Sequence, residues 1–296
     1  MKPIYKIMFV ISLMFFVASV VALSLYGLNF GVDFKGGSVI EIEFTKDRPS
    51  IDELHNLLSE QPDLKGKEIS VNESGDRGMI VRTEDLSEES HQRVISSIVS
   101  KYREQDVQEK RFESVGPTVG RELRNKSLVA IAIVLVAILA YITFVFRKLS
   151  RTLSLWAMNS ATLVGLLHDI VIPLGVFAIL GRFYNVQISA VFVAAILTIL
   201  GYTISDKVVI FDRVRENIVR GSREDLAAIV HKSVMQTLVR SINNTLTVIL
   251  SSAAIYLFGG ESIRYFALAL ILGIFLGAYS SIFVASPLLV WWSKKR

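Results

Sequence analysis

Two acidic residues and one basic residue lie inside or beside long apolar segments of this sequence. The stretch LGYTISDKVVIFDRVREN, residues 200–217, carries Asp206 before an apolar run has ended. Asp169 lies within another apolar run, and Arg240 lies where a third begins. An aspartate at the centre of a membrane helix costs about 2.5–3.5 kcal/mol on insertion scales, so it is usually paired or functional. Such residues are therefore either paired with an opposite charge or take part in chemistry inside the membrane.

Asp206 and Arg240 also have a purely structural interpretation. Asp206 is near the end of its run, where a carboxylate could reach interfacial water. Arg240, at the start of its run, could extend its long side chain to the interface. The residues alone leave both interpretations open.

Polar residues in the run that follows Arg240 recur at steps of three and four, which places them on one helical face. They are Thr237, Arg240, Asn244, Thr247 and Ser251. Such a face should contact protein or water rather than lipid. Asn244 therefore joins Asp206, Arg240 and Asp169 as a candidate functional residue inside the membrane. His168 points about 100° away from Asp169 on its helix and is either a packed polar neighbour or a proton carrier.

Several chemistries are excluded by what the sequence lacks. There is no cysteine, so there are no disulfides, thiolate nucleophiles or thiolate metal sites. The glycine-rich segment GVDFKGG, residues 31–37, has neither the GxxxxGK[ST] nor the GxGxxG spacing of nucleotide-binding loops. It could be a turn that joins a helix to a strand. We expect no cofactor and no bound metal.

The elements that must position these residues are membrane helices. The chain has 296 residues, of which 52% are hydrophobic, and it contains six long apolar runs. They span residues 7–28, 127–146, 153–180, 188–211, 241–258 and 263–292. Each run approaches the roughly 20 helical residues that cross a bilayer. The first run is longer than the apolar core of a signal peptide, which predicts an uncleaved helix.

The charges predict the orientation of these helices. Residues 31–124 hold 20 Asp or Glu and 14 Lys or Arg, a net charge of −6, whereas the remainder holds 7 and 18, a net charge of +11. The cations outside residues 31–124 cluster in alternate short loops: Lys2, Lys6, Arg147, Lys148, Arg151, Arg213, Arg215, Arg220, Arg223, Lys232, Lys294, Lys295 and Arg296. The positive-inside rule then predicts cytoplasmic termini. Because these cations flank membrane spans, they do not indicate nucleic-acid binding.

The polar segment between the first two runs has the pattern of a small α+β domain. SVIEIEF alternates as a half-buried strand does, and Ser50 with Glu53 forms a capping box before a helical pattern. Strands are predicted at KEISV and GMIVRT, a second helix after Ser87, and a last strand at 107–115. The order βαββαβ predicts a ferredoxin-like sandwich.

Three parts of the chain follow from these patterns. We predict a first transmembrane helix at 1–28, an extracytoplasmic ferredoxin-like domain at 29–125, and five further transmembrane helices at 126–296 with a cytoplasmic loop near 212–236. In the last helix small residues recur at every fourth position, which permits close approach to another helix. They are Ala269, Gly273, Gly277, Ser281 and Ala285.

Five motifs, in this order, resemble those of the SecD/SecF family of bacterial protein-export membrane proteins. They are GVDFKGG, VGPTVGREL, LLHD, LTILGYTISDKVVIFDRVREN and QTLVRSINNTLTVILSSAAIYLFGG. The resemblance spans nearly the whole chain. It implies half of a resistance-nodulation-division type transporter, a six-helix all-α membrane bundle with a ferredoxin-like domain.

The resemblance also implies a function and partners. The other half would be SecD, and the complex would assist the SecYEG channel, with YajC and YidC, in moving preproteins across the bacterial cytoplasmic membrane at the expense of the proton gradient. The family's proton-coupling pair falls on Asp206 and Arg240, with Asp169 and Asn244 as further candidates for proton coupling. Two residues depart from the expected motif: Ser205 replaces Asn and Lys207 replaces Thr. The protein would not be an enzyme.

Two other functions are compatible with membrane-embedded acids. A small-molecule exporter of the same superfamily would usually carry both six-helix halves in one chain. An intramembrane aspartyl protease would need two catalytic aspartates, for which Asp169 and Asp206 superficially qualify, but Asp206 follows TIS and the GxGD motif is absent.

Overall fold

A computed structural model of the chain describes residues 2–147, 153–220 and 224–293, without the side chains of 261 and 262. The chain divides into two compact units, Phe30–Ser127 and a unit that joins Met1–Asn29 to Leu128–Arg296. Several of the cations that predicted the topology lie outside the described residues: Lys148, Arg151, Arg223, Lys294, Lys295 and Arg296.

The secondary-structure elements follow one another in this order. They are α1 (Pro3–Tyr26), α2 (Val32–Lys35), β1 (Gly37–Phe44), α3 (Ile51–Ser59), β2 (Ser70–Ser74), β3 (Gly78–Thr83), α4 (Glu88–Lys101), β4 (Val107–Val115), α5 (Pro117–Phe146), α6 (Leu155–Tyr184), α7 (Ala190–Val219), α8 (Leu226–Phe258), α9 (Glu261–Ser280) and α10 (Ser286–Ser293). A π-turn, Ser281–Ala285, joins α9 to α10 without a break.

Within the described residues, six helices are long and apolar enough to cross a membrane, as predicted. They are α1, α5, α6, α7, α8 and the continuous segment of α9 and α10. Among them α6 is the most buried. Helices α1 and α6 approach closely because Gly175 has no side chain: a Cβ there would lie 2.4 Å from the Cβ of Ser19.

The small residues of the last segment serve a contact inside this chain. A Cβ at Gly273 would lie 2.2 Å from Ile199 Cδ1, and one at Gly277 would lie 1.9 Å from Thr203 Cγ2. Both neighbours belong to α7. The fourfold spacing therefore allows α9 and α7 to pack with their backbones close together.

Three helices extend well beyond the apolar runs that predicted them, and the first of them, α5, begins at Pro117. Helix α7 continues to Val219 and α8 begins at Leu226, so most of the predicted loop at 212–236 is helical. Ion pairs at i,i+3 and i,i+4 stabilise the polar end of α7. They are Asp212–Arg215 at 2.8 Å, Arg213–Glu216 at 2.5 Å and Glu216–Arg220 at 2.5 Å. Hydrophobicity marks the bilayer and not the helix, so these helices continue beyond the apolar runs.

The π-turn between α9 and α10 adjoins a proline. Pro287 has no amide hydrogen and cannot donate to the carbonyl four residues earlier, which disfavours a regular α-helix there. The hydroxyl of Ser286 donates to the carbonyl of Ser281 at 2.7 Å across the wider turn. The segment therefore remains helical, with one locally widened turn.

The unit Phe30–Ser127 is an α/β sandwich. Its four strands form an antiparallel sheet in the order β2-β3-β1-β4, and the chain order is βαββαβ apart from the single-turn helix α2. One face carries the core, which includes Ile40, Ile42, Phe44, Leu54, Leu58, Met79, Val81, Val94 and Ile98. This is the predicted ferredoxin-like arrangement.

The sequence patterns of this unit predicted its helix starts and strands correctly, except that β2 begins later than predicted. Ser50 Oγ accepts from the Glu53 amide at 3.2 Å while Glu53 Oε2 accepts from the Ser50 amide at 2.9 Å, which completes the capping box. Strand β2 begins at Ser70, three residues after the start of KEISV. The strand continues to Ser74, and Gly75, where φ is +61°, forms the turn that fixes the register of β2 against β3.

Two glycine-containing motifs meet in this unit. In GVDFKGG, residues 32–35 form α2, and a Cβ on Gly36 would lie 2.7 Å from Pro117 Cα. A Cβ on Gly120 would in turn lie 3.0 Å from the Gly36 amide nitrogen. Gly36 also has a φ of +86°. Glycine is required here both for the backbone conformation and for the close approach of α2 to the first turn of α5.

Candidate functional site

A fully buried ion pair joins α6 to α7. Lys207 Nζ lies 2.7 Å from Asp169 Oδ2, and both side chains are 0% exposed. Lys207 Nζ also donates to Ser280 Oγ, at the end of α9, at 3.0 Å. Gly165, one turn before Asp169, makes room for the lysine, because a Cβ there would lie 2.6 Å from Lys207 Cε. Three helices therefore hold this one ammonium group.

His168 extends the polar contacts of Asp169 to α1. Its Nδ1 lies 3.1 Å from Asp169 Oδ1, and its Nε2 lies 2.6 Å from Ser12 Oγ. A neutral imidazole with its proton on Nδ1 would donate to Asp169 and accept from the Ser12 hydroxyl, which satisfies both nitrogens. His168 and Ser12 are both buried. His168 is thus a packed, hydrogen-bonded neighbour of Asp169, and it links α1 to the ion pair.

Asp206, the residue before Lys207, has a different environment from Asp169. Its side chain is buried, and its Oδ1 accepts from Ser241 Oγ on α8 at 3.0 Å. Its Oδ2 has no hydrogen-bond partner among the described residues. A buried carboxylate without a counter-ion is costly in its ionised form. Asp206 is therefore the acid that gains most from binding a proton.

The predicted pairing of Asp206 with Arg240 does not occur within this chain. Among the described residues, the two side chains form no ion pair, and Arg240 and Asn244 are both exposed. Helix α8 buries a neighbouring face instead, with Ser233, Thr237, Ser241, Thr245 and Ser252. Thr237 belongs to both faces, but beyond it the predicted polar stripe points out of the chain. One residue of offset rotates a helical face by about 100°, and the next residue, Ser241, occupies the place expected for Arg240.

This chain encloses both aspartates without a second half. Asp169 is 0% exposed and Asp206 is 5% exposed within this chain alone. The buried lysine contributes to this, because its contacts bring α6, α7 and α9 together around Asp169.

The charges of this buried cluster do not balance. With His168 neutral and both acids ionised, Asp169, Asp206 and Lys207 sum to a net charge of −1. A net charge in a low-dielectric interior is unfavourable, and one proton neutralises it. The arrangement can therefore hold and release a proton.

Hydrolytic chemistry fits this cluster poorly. Ser12, His168 and Asp169 have the connectivity of a hydrolase triad, but Ser12 Oγ is buried against α6 and Asp169 is also bound to Lys207. An aspartyl protease needs two carboxyl groups that share one proton. Asp169 cannot serve as one of them while both its oxygens accept from His168 and Lys207. Within the described residues, no group of three or more His, Cys, Asp or Glu side chains could hold a metal ion.

Sequence analysis missed Lys207, Ser12, Ser241 and Ser280 as members of the cluster. Lys207 was noticed only as a departure from the expected motif. A signal was available, since Gly165 stands four residues before Asp169 and leaves space for a long side chain. Ser12 and Ser280 gave no signal, because serine is common in membrane helices and its partners lie more than 70 residues away.

The sequence matches two families of known description. Residues 94–295 match the one described as protein export membrane protein SecD/SecF, C-terminal, and residues 21–47 match the SecD/SecF GG motif. The first match covers more than half of the chain. This chain belongs to the SecD/SecF family. The GG motif of the family includes Gly36 and Gly37, and the structure gives the reason for Gly36 in the contact with α5.

Individual members of the SecD/SecF family are similar over most of the chain. The protein translocase subunit SecF of Thermobaculum terrenum is 40% identical over 294 residues, which cover 97% of this chain and 92% of that protein. The protein translocase subunit SecDF of Brucella abortus is 35% identical over 264 residues, which cover 89% of this chain and 33% of that one. Both are named as translocase subunits, which are transport components and not enzymes.

The fold is also that of a solved family member. The crystal structure of SecDF, a translocon-associated membrane protein from Thermus thermophilus, aligns with a TM-score of 0.83 at 30% identity. The alignment covers 98% of this chain and 38% of that one. The chain is thus a multi-pass membrane protein with the fold of part of SecDF.

Proposed function

We propose that this chain is a subunit of the bacterial protein-export machinery that binds protons at Asp206 and uses the proton gradient to assist preprotein translocation. Membership of the SecD/SecF family supports the export role. The observation that carries the proton-coupling role is the buried carboxylate of Asp206, which has one oxygen without a hydrogen-bond partner and forms no ion pair among the described residues.

The proposed partner is SecD, which supplies the second half of the transporter. The exposed face of α8 supports this, because Arg240, Asn244, Thr247 and Ser251 are polar and exposed on a membrane-spanning helix. Such a stripe is unfavourable against lipid and favourable against a second protein surface. Arg240 would then lie in the interface with SecD, where its charge could still act on Asp206. The SecYEG channel, YajC, YidC and the translocating preprotein complete the proposed assembly.

The proposed location is the bacterial cytoplasmic membrane, with both termini in the cytoplasm and residues 29–125 outside. The asymmetric distribution of lysine and arginine supports this orientation. It also gives the proton a direction, from the side of the α/β unit toward the side where α7 and α8 project their charged ends.

Proton binding at Asp206 would alter the contact between α7 and α8. The ionised carboxylate accepts the hydrogen bond of Ser241, whereas a protonated carboxyl group can also donate and loses its attraction for nearby cations. Each proton that moves through 100 mV releases about 2.3 kcal/mol, which suffices for a modest change in helix packing.

The test is export of a preprotein into membrane vesicles that carry the complex, with and without a proton gradient. Asp206→Asn keeps the size of the side chain and removes the titratable group. We expect it to abolish the gradient-stimulated part of export and to leave ATP-driven export intact. Asp212→Asn is the matched control, because Asp212 lies on the same helix but is half exposed and paired with Arg215.

The control variant should export like the parent. The proposed function is wrong if Asp206→Asn, at equal expression and equal recovery of the complex, also responds to the gradient like the parent.

A further inference from the structure

We propose that Lys207 holds Asp169 permanently ionised, so that the buried cluster binds one proton and binds it at Asp206. This inference rests on the proposed proton-coupling role of the site. It assigns a role to Lys207, a residue that departs from the motif pattern expected for the family.

The contacts of Lys207 show that its charge is committed to Asp169. Its Nζ lies 2.7 Å from Asp169 Oδ2 and 3.0 Å from Ser280 Oγ, and its side chain is fully buried. The missing side chain of Gly165 gives the lysine its path. Because α6 and α9 provide these contacts, the position of the ammonium group does not depend on Asp206.

The contacts of Asp169 are those of an ionised acid. Its Oδ2 accepts from Lys207 and its Oδ1 lies 3.1 Å from His168 Nδ1. A protonated carboxyl group would have to give up one of these two donors, because its hydroxyl oxygen carries a hydrogen of its own. Neither oxygen of Asp169 has room for a proton while Lys207 is charged and His168 donates.

Asp206 lacks both of these constraints. One oxygen accepts from the hydroxyl of Ser241, and the other has no partner among the described residues. The titratable and charged groups that act on Asp206 are Tyr202 and Lys207 on α7, Arg240 on α8 and Asp169 on α6. Lys207 is bound to Asp169 and Arg240 is exposed, so neither forms an ion pair with Asp206.

Lys207 therefore sets the number of protons. With the lysine in place, two buried acids share one buried cation, and a single proton brings the cluster to neutrality. Without it, the two acids would need two protons. The lysine converts a potential two-proton cluster into a one-proton site and directs the proton to the acid on its own helix.

Infrared difference spectroscopy on the full chain with its partner in membranes tests this directly, because each protonated carboxyl group has its own carbonyl band. We expect the parent to show one pH-dependent carboxyl band, which is absent from Asp206→Asn and remains at the same frequency in the double variant Lys207→Met, Asp169→Asn, because the double variant keeps the net charge of the cluster. Lys207→Met alone should gain a second band, which the double variant lacks.

The spectra of these variants can contradict the proposal in two ways. The proposal is overturned if the double variant lacks the band of the parent, or if Lys207→Met adds no second band. If Lys207→Met does not fold, the parent, Asp206→Asn and the double variant still decide which acid carries the proton, because the double variant has no unpaired buried charge at positions 169 and 207.

The spectra are recorded without an export assay, so the proposed function and the proposed role of Lys207 can be contradicted independently of each other. A parent with one carboxyl band at Asp206 but an Asp206→Asn variant that still responds to the gradient would overturn the proposed function. A parent with titrating bands from both acids, together with loss of export in Asp206→Asn, would overturn only the role of Lys207.

Discussion

At the scale of single residues, the missing side chain of Gly165 is as important as the charges beside it. The ion pair between Lys207 and Asp169 exists because nothing on α6 fills the space beside Lys207 Cε. A buried pair is weak evidence for stability in general, but separating its partners leaves an uncompensated charge that costs about 3–5 kcal/mol.

We predict that Gly165→Ala lowers the stability of the helical unit. The new Cβ would lie 2.6 Å from Lys207 Cε and displace the ammonium group from Asp169. Overpacking of this kind costs about 1–3 kcal/mol. Thermal unfolding of the purified chain in detergent measures the effect.

Gly201→Ala is the matched control, because a Cβ at Gly201 meets nothing within 4 Å. Alanine is a better helix former than glycine, so this variant should be neutral or stabilised by up to about 1 kcal/mol. Equal melting temperatures for the two variants would show that Gly165 is not required for the position of Lys207.

The same scale shows where reasoning from sequence fails. Steps of three and four predicted a polar face on α8, but the chain buries Ser241 and leaves Arg240 exposed. Two polar faces one residue apart look alike in a sequence, and only packing chooses between them. Lys207 was missed for a related reason: its partner, Asp169, lies 38 residues away, and Gly165 indicates space beside α6 but not which side chain fills it.

At the scale of elements, a surface ion pair between Arg93 and Asp63 holds the connection between α3 and β2 against α4. Arg93 donates to both oxygens of Asp63, at 2.7 and 2.8 Å, and Ser90 donates to one of them at 2.9 Å. The hydrogen bond from Arg93, followed by that from Ser90, lowers the pKa of Asp63 to about 2. The ionised form is therefore the one that the folded unit favours.

This shift predicts the pH range in which the contact acts. Because the folded pKa lies below the ordinary value for aspartate of about 4, the stabilisation is complete above that value and is lost as the pH falls toward about 2. Pepsin digestion of the full chain in detergent measures cutting in the segment 60–69 in this range.

Asp63→Asn should be cut faster than the parent near pH 4, and the difference should vanish near pH 2. Glu60→Gln, at an exposed position close by, should behave like the parent at both values. A constant difference between Asp63→Asn and the parent across the range would mean that ionisation of Asp63 is not the cause.

Elements were predicted well where local chemistry decides them. The capping residues Ser50 and Ser87 mark the starts of α3 and α4, and the limits of β3 and β4 agree with their patterns. Helix ends inside polar sequence were predicted poorly. Helix α7 continues to Val219 because ion pairs replace the apolar contacts that made the run visible, and no hydropathy pattern records this.

At the scale of the whole molecule, the distribution of charge predicts which side of the membrane each segment faces. The chain has no native cysteine, so single cysteines report their own position. In spheroplasts, an impermeant thiol reagent should label Ser74→Cys directly and Ser293→Cys only after the membrane is opened.

The reverse result, with Ser293→Cys labelled in intact spheroplasts and Ser74→Cys protected, would invert the proposed topology and with it the direction of proton flow. Labelling of both cysteines in detergent is the control for their accessibility. The experiment needs no partner and no transport assay.

The π-turn at Ser281–Ala285 fixes how long this part of the chain must be. A turn of this kind holds one residue more than an α-turn, so it changes the helical phase of everything that follows by about 100°. The aromatic contact of Trp291 with Phe9, at 5.0 Å between ring centroids, is built on that changed phase. A homologous chain one residue shorter here would present a different side of its last two turns to α1. Length variation among relatives should therefore be selected against between Ser280, the residue that binds Lys207, and Trp291.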